Sequence, residues 1–557
     1  MDWNKIVRNV LLIFVLGCSL YVQGQIAPNK YWVSFTDKEN NTFELSDPTA
    51  FLTERSVQRR INQNIPLDLK DLPVTLSYIN QVDALVDVEI LYASKWFNAV
   101  AIYCETSNIE EVLLDLPFVG MVKNVLGQKG DDFDMNPKEE VQHITSRLPV
   151  IDYGLSFNQI DMLNGIPLHD AGFEGQGMRI GVIDAGFRSV DQLLAFEGLF
   201  DENRIIATKD FVDGDVNVYE EEVSTHGMFV LSTMAGILPD SAYGTATQAE
   251  YLLLRSEDTD SELRVEEHNW VAAAEYADSL GVDILTTSLG YTTFDVEGMN
   301  YTYEDLDGDT GVLTQASDIA ASRGILVLNS AGNSGSNDWH YIGVAADGDS
   351  VLAIGAVNPE EIHASFSSFG PTPDGRIKPN VMAQGRNAVL CDFDNTPRTG
   401  NGTSFSCPIM AGMTACLWQM HPSATNMEIF HAIEESAHLF VTPNDSMGYG
   451  IPDFWAANLI LDELLNVEDI IDVNLVTLYP NPVQGELFLE FFLKNNMDFE
   501  IEIFDAKGSR LFSKSYVGRT GLQALEFNLQ GYINGHYSLI VNGDKIYLQE
   551  NFVITNL

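Results

Sequence analysis

The chain has few cysteines, few basic residues and only one long apolar run, and each shortage excludes a class of protein. With 5 cysteines in 557 residues, it encodes neither a disulfide-rich scaffold nor a metal motif. The 30 basic residues face 80 acidic ones, which gives a formal net charge of -50. Such a polyanion repels nucleic acid and anionic membranes. Beyond the N-terminus no run approaches the roughly 20 apolar residues of a membrane span, so neither nucleic acid nor a stable membrane span is expected.

The chain does contain enough apolar sequence for several globular domains. Hydrophobic residues make up 45% of the total, too many for a disordered protein. A chain of this length exceeds a single core, so about two to four domains are expected. Cys391, Cys407 and Cys416 are expected to be buried thiols, although an exported protein would also allow a disulfide among them.

The first 24 residues have the pattern of a secretory signal peptide. Lys5 and Arg8 precede an apolar run at 10–16, and cleavage is expected near Gly24. The segment VLGC, which ends at Cys18, loosely resembles a lipoprotein box, and lipidation there is the alternative. Either pattern predicts export.

Shifts in composition divide the rest of the chain. Residues 25–126 carry strand and helix patterns in the order β-α-β-β-α-β, typical of a small ferredoxin-like α+β domain. The acidic stretch 127–152 predicts an exposed linker with a processing site. From 153–465, continuous apolar runs alternate with helical segments, which predicts a parallel sheet with helices on both faces. A linker at 466–475 leads to alternating strands at 476–557, typical of a β-sandwich.

A glycine turn at 400–402 leads directly into Ser404 and an apolar helix. Pro408 suits the first turn of that helix, because its missing N–H costs little there. Backbone N–H groups and the helix dipole would stabilise negative charge beside Ser404, as a nucleophile requires. Taken alone, the stretch is better interpreted as a helix with a capping serine, which is what most Ser or Thr residues in such a turn are.

Three more side chains have the chemistry that a nucleophilic serine needs. Asp184 ends a buried strand, His226 begins an apolar helix, and Asn333 follows a buried strand in a Gly-Asn turn. Each alone has a simpler interpretation as a turn or capping residue. Ser406 stands where the elbow of an α/β-hydrolase needs its second glycine, which disfavours an esterase of that type.

Segments spread across the middle of the chain resemble the subtilisin-like serine proteases. The matching segments are RIGVIDAGF (179–187), STHGMFVLSTMAG (224–236), TSLGY (287–291), LNSAGNSG (328–335), SFSSFGPTPDGRIKPNVMAQG (365–385), GTSFSCPIMAG (402–412) and YGIPD (449–453). The candidates also follow the chain order Asp-His-Ser of that family. The joint match is far more specific than any one segment.

The resemblance implies a three-layer α/β fold and a serine endopeptidase that works through an acyl-enzyme. Asp184 matches the orienting acid, His226 the general base and Ser404 the nucleophile. Asn333 matches the side-chain donor of the oxyanion hole, which the backbone N–H of Ser404 completes.

The segment Ser288-Leu289-Gly290 matches the strand that pairs with an extended substrate. Two positions depart from the family pattern. Ala185 replaces the usual Ser or Thr after the aspartate, and Met228 replaces the usual Thr or Ser after His-Gly. Neither transfers a proton, so the departures are expected to change local hydrogen bonding.

The flanking domains also resemble known modules. The N-terminal domain is similar to the inhibitory propeptides of these proteases, which self-cleavage releases. The C-terminal domain is similar to the Bacteroidota domains that route cargo through the type IX secretion system, and a carbohydrate- or protein-binding module is the alternative. The expected location is the cell surface or the medium, after export through the periplasm. The expected partners are polypeptide substrates, the protein's own propeptide and the type IX machinery.

Asp305, Asp307 and Asp309 stand at alternate positions before a helix and resemble the start of a calcium loop. The terminal glutamate of a full loop is absent, so a solvated acidic loop is the alternative. No cofactor is expected for the chemistry itself. The alternative to an enzyme is a catalytically silent subtilisin-like scaffold for binding or assembly, which the presence of all four site residue types disfavours.

Overall fold

The computed structural model describes residues 29–125, 151, 153–221, 223–259, 261–470, 473–493, 497–507, 509–518, 521–543 and 546–555. The predicted signal peptide, Cys18 and nearly all of the predicted processing linker lie outside these residues. The chain forms two compact units that divide after Asn458. The first unit holds an N-terminal domain and a middle domain, and the second holds a C-terminal domain.

The N-terminal domain is built on an antiparallel four-stranded sheet in the order β2-β3-β1-β4. This is the strand order of the predicted ferredoxin-like fold. Its elements are β1 Lys30–Phe35, α1 Glu54–Asn62, α2 Leu76–Asp83, β2 Val88–Ser94, β3 Ala99–Cys104, α3 Ile109–Leu114 and β4 Val119–Asn124. The sequence did not indicate α2, because only Val82 of that helix is buried and its apolar stripe is therefore weak.

The middle domain has a seven-stranded parallel sheet in the order β13-β12-β11-β10-β5-β9-β6. Its strands are β5 Arg179–Asp184, β6 Ile205–Asp210, β7 Ile237–Leu238, β8 Ala242–Tyr243, β9 Glu250–Arg255, β10 Ile284–Thr287, β11 Leu326–Ser330, β12 Val351–Val357, β13 Val381–Gln384, β14 Ala388–Cys391 and β15 Pro397–Gly400. The predicted parallel sheet is confirmed. The edge strand β6 was not predicted, because it is half-buried and partly polar.

Helices accompany the parallel strands. They are α4 Phe157–Asp161, α5 Ile166–Asp170, α6 Glu197–Asp201, α7 His226–Ala235, α8 Arg264–Leu280, α9 Val312–Ser322, α10 Thr403–Met420, α11 Asn426–Glu435 and α12 Phe454–Ile470. Every residue of α10 from Thr403 to Trp418 is buried. A helix buried on all sides holds its first turn rigidly, and that turn carries Ser404.

The C-terminal domain consists of two antiparallel sheets that share one core. The sheet orders are β16-β17-β20 and β19-β18-β21-β22. The strands are β16 Val473–Tyr479, β17 Glu486–Leu493, β18 Met497–Asp505, β19 Arg510–Gly518, β20 Gly521–Asn528, β21 Gly535–Gly543 and β22 Ile546–Ile554. Leu489 and Phe491 of one sheet pack in the same buried cluster as Ile501 and Leu539 of the other. The predicted β-sandwich is therefore confirmed.

The predicted linker 466–475 differs from the structure, because α12 runs on to Ile470 and β16 begins at Val473. The described cysteines Cys104, Cys391, Cys407 and Cys416 are all buried free thiols. None of the helices in the described part of the chain has the length and apolar character needed to cross a bilayer.

A buried ionic network joins the N-terminal domain to α8 of the middle domain. Asp278 accepts hydrogen bonds from Arg59 at 2.5 Å, from Arg60 at 2.9 Å and from Lys95 at 2.7 Å. Its side chain is fully buried. Burial alone would raise the pKa of Asp278, but the three cations outweigh burial and lower it. One carboxylate thus neutralises cations from two segments of the N-terminal domain.

Two further contacts extend the same interface. Glu275 accepts from the hydroxyl of Ser94 at 2.5 Å and from the N–H of Lys95 at 2.7 Å. The ring of Trp32 stacks on His268 with centroids 4.1 Å apart. The N-terminal domain is therefore packed against the middle domain and not merely tethered to it.

We expect Asp278→Asn to lower the free energy of unfolding of the first compact unit by about 3–5 kcal/mol, because it leaves buried cations without a counter-charge. The measurement is denaturant unfolding in a Ser404→Ala background, which removes the predicted self-cleavage. Asp374→Asn is the matched control, since Asp374 pairs with Arg376 and its side chain is 45% exposed. Its loss should stay below about 1 kcal/mol. Equal losses of unfolding free energy in Asp278→Asn and Asp374→Asn would contradict the role of Asp278 as the counter-charge of the buried cations.

Candidate active site

Two predicted site residues, Asp184 and His226, are joined by a hydrogen bond. Asp184 is the fully buried last residue of β5, and His226 is the first residue of α7. Nδ1 of His226 lies 2.8 Å from Oδ1 of Asp184. A carboxylate bound to Nδ1 holds the imidazole in the tautomer that leaves Nε2 as the basic nitrogen.

The surroundings of His226 favour its protonated form. Burial opposes the imidazolium, but the charge of Asp184, the hydrogen bond to it and the charge of Glu257 together raise the pKa of His226. A base whose protonated form is stabilised in this way can hold a proton taken from a nucleophile.

Glycines allow β5 and α7 to approach closely. A Cβ atom on residue 227 would lie 2.5 Å from the carbonyl oxygen of Gly186 and 3.0 Å from Cβ of Asp184. Real Cβ atoms do not approach backbone atoms this closely, so a side chain here would push the helix away from the strand. Gly227 therefore keeps His226 within reach of Asp184.

The two carboxylate oxygens of Asp184 differ in their hydrogen bonding. Oδ1 accepts both from His226 and, at 2.8 Å, from the N–H of Ala185. Oδ2 is buried and has no hydrogen bond among the described residues. Ala185 lacks the hydroxyl of the usual Ser or Thr, and Met228 is fully buried. Ala185, one of the two departures from the expected pattern, therefore directly follows a carboxylate with one oxygen that lacks a hydrogen bond among the described residues.

Ser404 lies at the start of α10 with a free backbone N–H. The helix begins at Thr403, so Ser404 is its second residue, and an N–H in the first turn has no intrahelical acceptor. The N–H of Phe405 bonds to the carbonyl of Gly402 at 3.1 Å. The Ser404 N–H has no acceptor among the described residues and is available to an anion.

Asn333 caps α10 from the end of β11. Its Oδ1 accepts from the N–H of Thr403 at 2.9 Å and from the hydroxyl of Thr403 at 3.0 Å. These bonds fix the orientation of the amide, so Nδ2 remains as a donor. Because Asn333 supplies the cap, the helix starts at Thr403. The prediction that Pro408 lies in the first turn is wrong, since it is the sixth helical residue.

Two donor nitrogens flank the space beside Gly402. A Cβ atom on residue 402 would lie 3.6 Å from the backbone nitrogen of Ser404 and 3.7 Å from Nδ2 of Asn333. An oxyanion placed between these nitrogens would receive two hydrogen bonds. Gly402 is therefore the residue that leaves this space open.

Ser288 and Ser404 bind each other. Pro408 has no N–H to donate to the carbonyl of Ser404 four residues earlier. The hydroxyl of Ser288 donates to that carbonyl instead, at 2.9 Å. In return, the hydroxyl of Ser404 lies 3.4 Å from the carbonyl oxygen of Ser288. Ser288 thus satisfies the acceptor that the proline leaves free.

Ser404 and His226 share no hydrogen bond among the described residues. The ring of His226 lies 6.3 Å from the ring of Phe405, the residue next to Ser404. Hydrogen bonds of this type are often long in an empty site and shorten when substrate binds. The structure thus brings the predicted residues to one edge of the sheet: Asp184, His226, Asn333 and Ser404. The hydrogen bond between His226 and Ser404 is the one that is not formed among them.

A cleft of about 270 Å³ lies beside Ser404. The predicted substrate segment, Ser288, Leu289 and Gly290, forms part of its lining. The remaining lining residues are Glu257, Glu262, Tyr291, Thr292, Ser330, Ala331, Gly332, Asn333, Ser334, Gly343, Ser368, Thr403 and Ser404. The strand segment, the nucleophile and the amide donor therefore share one cavity.

Sequence reasoning missed Glu257 and Glu262. Both follow β9, whose carboxyl end meets the same sheet edge as β5 and β10. Glu257 stands two positions after the end of the buried strand at Arg255, and that placement was the signal that could have located it, whereas Glu262, seven positions after the strand, had no such signal.

Two of the three candidate calcium ligands accept hydrogen bonds in local turns. Asp307 accepts from the N–H of Asp309 at 2.9 Å and from Thr310, and Asp305 accepts from Thr302. Within the described ranges no group of three or more His, Cys, Asp or Glu side chains is arranged to hold a metal ion. Structural calcium stays a prediction.

The fold and the site together define a class. A parallel sheet with helices carries an Asp-His pair at one strand end, a serine at a helix start and two converging N–H donors. This is the arrangement of a serine hydrolase with the chain order Asp-His-Ser.

Comparison with known families agrees with this class. Residues 175–450 match the subtilase family, residues 30–140 match the peptidase S8 propeptide domain of Bacteroidota, and residues 477–555 match the secretion system C-terminal sorting domain. Residues 175–450 therefore form a subtilase-family domain, and this match supports a serine peptidase. The sorting domain indicates export, so the predicted secreted or cell-surface location is confirmed.

Individual relatives are distant. Subtilisin NAT of Bacillus subtilis subsp. natto is 29% identical over 290 residues, 52% of this chain and 66% of that protein. The subtilisin of Bacillus pumilus is 29% identical over 289 residues, 52% of this chain and 91% of that protein. Among solved structures, the MycP3 protease of the type VII (ESX-3) secretion system is 20% identical with a TM-score of 0.45, over 56% of this chain and 91% of that one.

We expect Ser288→Ala to destabilise the first compact unit by about 1–3 kcal/mol, because it leaves the buried carbonyl of Ser404 without a donor. In a Pro408→Ala background the same change should cost much less, since residue 408 regains an N–H for that carbonyl. Denaturant unfolding of the four proteins of this double-mutant cycle measures the difference. If Ser288→Ala lowers the free energy of unfolding equally in both backgrounds, the Ser288 hydroxyl does not replace the N–H that Pro408 lacks.

Proposed function

We propose that the protein is a secreted serine endopeptidase, made as an inactive precursor. The observation that carries this proposal is the meeting of four separated segments at one sheet edge, each with the side chain that acyl transfer needs. Asp184 and His226 are hydrogen-bonded, and Ser404 and Asn333 present two N–H donors to one position.

In this mechanism Ser404 Oγ attacks the carbonyl carbon of a peptide bond, and Nε2 of His226 takes the hydroxyl proton. Asp184 holds the imidazole and stabilises its charge. The Ser404 N–H and Asn333 Nδ2 stabilise the oxyanion. His226 then gives the proton to the leaving amine. Water, activated by the same imidazole, releases the acyl group from Ser404.

The nucleophile must change its hydrogen-bond partner. The Ser404 hydroxyl rests 3.4 Å from the carbonyl of Ser288, which is a weak hydrogen bond. In the proposed mechanism it leaves that acceptor and bonds to Nε2 of His226. The hydroxyl of Ser288 would keep its own bond to the Ser404 carbonyl, so the helix start need not move.

The cleft supports an extended polypeptide as substrate. Residues 288–290 form one wall and follow β10 at the carboxyl edge of the sheet. An extended peptide can pair its main chain with such a segment and place one side chain in the cavity beside Ser404. Main-chain pairing does not require a free terminus, which favours an endopeptidase.

The N-terminal domain would act as the enzyme's own inhibitor until it is removed. Its buried network around Asp278 and its stacking on His268 support tight binding to the middle domain. The C-terminal domain would address the precursor to the type IX secretion machinery, in line with its family match.

A catalytically silent scaffold is the second candidate. The unpartnered Oδ2 of Asp184 favours it, because an incompletely held carboxylate weakens the orientation of His226. The two candidates differ in one measurable property, because the endopeptidase should cleave its own precursor and the silent scaffold should not.

N-terminal sequencing of the purified protein and of Ser404→Ala distinguishes them. For an enzyme, the wild type should begin between about residues 127 and 153, and Ser404→Ala should keep the whole N-terminal domain and begin near Gln25. Ser406→Ala is the matched control, because the Ser406 hydroxyl donates its hydrogen bond to the carbonyl of Thr403, within α10. It should process like the wild type. Identical starts for wild type and Ser404→Ala would contradict self-processing.

The pH profile gives an independent test of the base. Because the pKa of His226 is raised, kcat/KM for an uncharged peptide should fall as the pH drops through a value above 6.5. Glu257→Gln removes one charge that raises this pKa, so the acid limb should move to lower pH by less than about one unit. Glu262→Gln is the control and should leave the limb in place. A limb unmoved by Glu257→Gln would contradict the electrostatic assignment.

A further inference from the structure

A lysine ammonium is enclosed in the middle domain, shortly before β13. Lys378 is 2% exposed. Its Nζ donates to the carbonyl oxygen of Gly348 at 2.8 Å, to that of Val351 at 2.7 Å and to Oδ1 of Asn380 at 3.0 Å. An ammonium has three N–H groups, so each of them has an acceptor. We call these three acceptors the oxygen cage.

The oxygen cage consists of neutral atoms. Two are main-chain carbonyl oxygens and one belongs to an amide, and none of the carboxylates in the described ranges forms an ion pair with Lys378. Burial lowers the pKa of Lys378 to about 8, and the charge of Arg376 acts in the same direction. The charges of Asp347, Glu434 and Asp318 oppose this change. The side chain therefore still carries its proton at neutral pH.

Contacts that do not involve Lys378 hold the oxygen cage in place. Oδ1 of Asn380 also accepts from the N–H of Ala353 at 2.8 Å, and Nδ2 of the same amide donates to Glu434 at 2.7 Å. Val351 is the first residue of β12, which pairs with β11 in the centre of the sheet. The oxygens should therefore keep their positions when the ammonium is removed.

The oxygen cage follows the wall of the cleft along the chain. Gly343 lines the cleft, and Val344 exchanges two main-chain hydrogen bonds of 3.2 Å with Tyr291, which lines it too. A turn leads on to the cage, in which the N–H of Gly348 donates to the carbonyl of Ala345 at 3.0 Å. A cation in the cage thus fixes the segment that continues the wall.

We propose that the oxygen cage is a cation site whose resident cation is the ammonium of Lys378, and that it binds K⁺ when this ammonium is removed. Ammonium and K⁺ are similar in size, and neutral carbonyl oxygens bind K⁺ in place of its hydration shell. Ca²⁺ sites usually add carboxylate ligands, and Mg²⁺ keeps several of its waters. A cage of three neutral oxygens therefore favours a monovalent ion. Lys378 makes this part of the fold independent of a dissolved metal ion.

Thermal unfolding of the precursor in two salts tests the site. All proteins carry Ser404→Ala, which removes the predicted self-cleavage. KCl is compared with choline chloride, whose cation is too large for the cage, at an equal ionic strength of about 0.3 M so that screening is the same. In choline chloride, Lys378→Ala should lower the unfolding midpoint by about 4–10 °C, because buried acceptors lose their donors. KCl should restore half of this loss or more.

Lys378→Met is the matched control, because its side chain fills the space but brings neither charge nor room for an ion. It should lose stability in both salts and gain nothing from KCl, and the parent with Lys378 should unfold at the same temperature in both. A gain from KCl in Lys378→Ala that is no larger than in Lys378→Met overturns the inference. A gain from CaCl₂ without one from KCl overturns the assignment to a monovalent ion.

Refolding from urea covers the case in which Lys378→Ala cannot be purified as a folded protein. Recovery of soluble protein in KCl but not in choline chloride would support the site. Equal recovery, or failure in both salts, would contradict it.

Peptide hydrolysis tests the link to the wall of the cleft, and this part rests on the proposed peptidase function. In the processed protein, KCl should raise kcat/KM of Lys378→Ala about threefold or more over choline chloride, while the wild type changes less than about twofold. If stability returns with KCl and activity does not, the cage does not position the wall. If the wild type hydrolyses no peptide, the proposed function fails, whereas the unfolding result decides the cation site by itself.

Discussion

The hydrogen bond from the N–H of Thr403 to Oδ1 of Asn333 is the contact on which the rest of the site depends. It joins the end of β11 to the start of α10. By using the oxygen of the amide, it leaves Nδ2 as a donor. By capping Thr403, it leaves the next N–H, that of Ser404, as the first free one. A single contact therefore positions both donors of the proposed oxyanion site relative to Ser404.

The surrounding fold keeps that contact rigid. The first turns of α10 are buried on all sides, and the carbonyl freed by Pro408 is satisfied by Ser288 on the neighbouring strand segment. Close packing of this kind gives the helix start few alternative arrangements. Oδ2 of Asp184 is buried and has no hydrogen bond among the described residues. A Ser or Thr at position 185 would bring a hydroxyl donor next to this carboxylate.

Charge is distributed in an uneven way. The whole chain has 30 basic residues against 80 acidic ones, yet several of the cations are buried where the N-terminal domain meets α8. Arg59, Arg60 and Lys95 converge on Asp278, whereas none of the described residues places a cation beside Glu257 or Glu262 in the cleft. Ion pairs thus join the N-terminal domain to α8, whereas the two acidic residues of the cleft have no described ion-pair partner.

Much of the fold and of the site follows from the sequence, because long apolar strands and a glycine-rich helix start have strong local patterns. The four separated residues Asp184, His226, Asn333 and Ser404 were selected by their order and motifs, and the structure brings them to one edge. Their roles stay predictions. What the sequence could not supply are contacts between distant segments. The Ser288 hydroxyl on the Ser404 carbonyl depends on tertiary packing, and so does the place of Glu262 in the cleft.

Active-site labelling tests the central claim most directly. The processed wild-type protein is treated with a fluorophosphonate, which reacts with serines activated by a general base, and the adduct is located by mass spectrometry. We predict one adduct, on Ser404, and none in Ser404→Ala. A folded, processed protein that carries no adduct on Ser404 would contradict the catalytic role of the site and favour the silent scaffold.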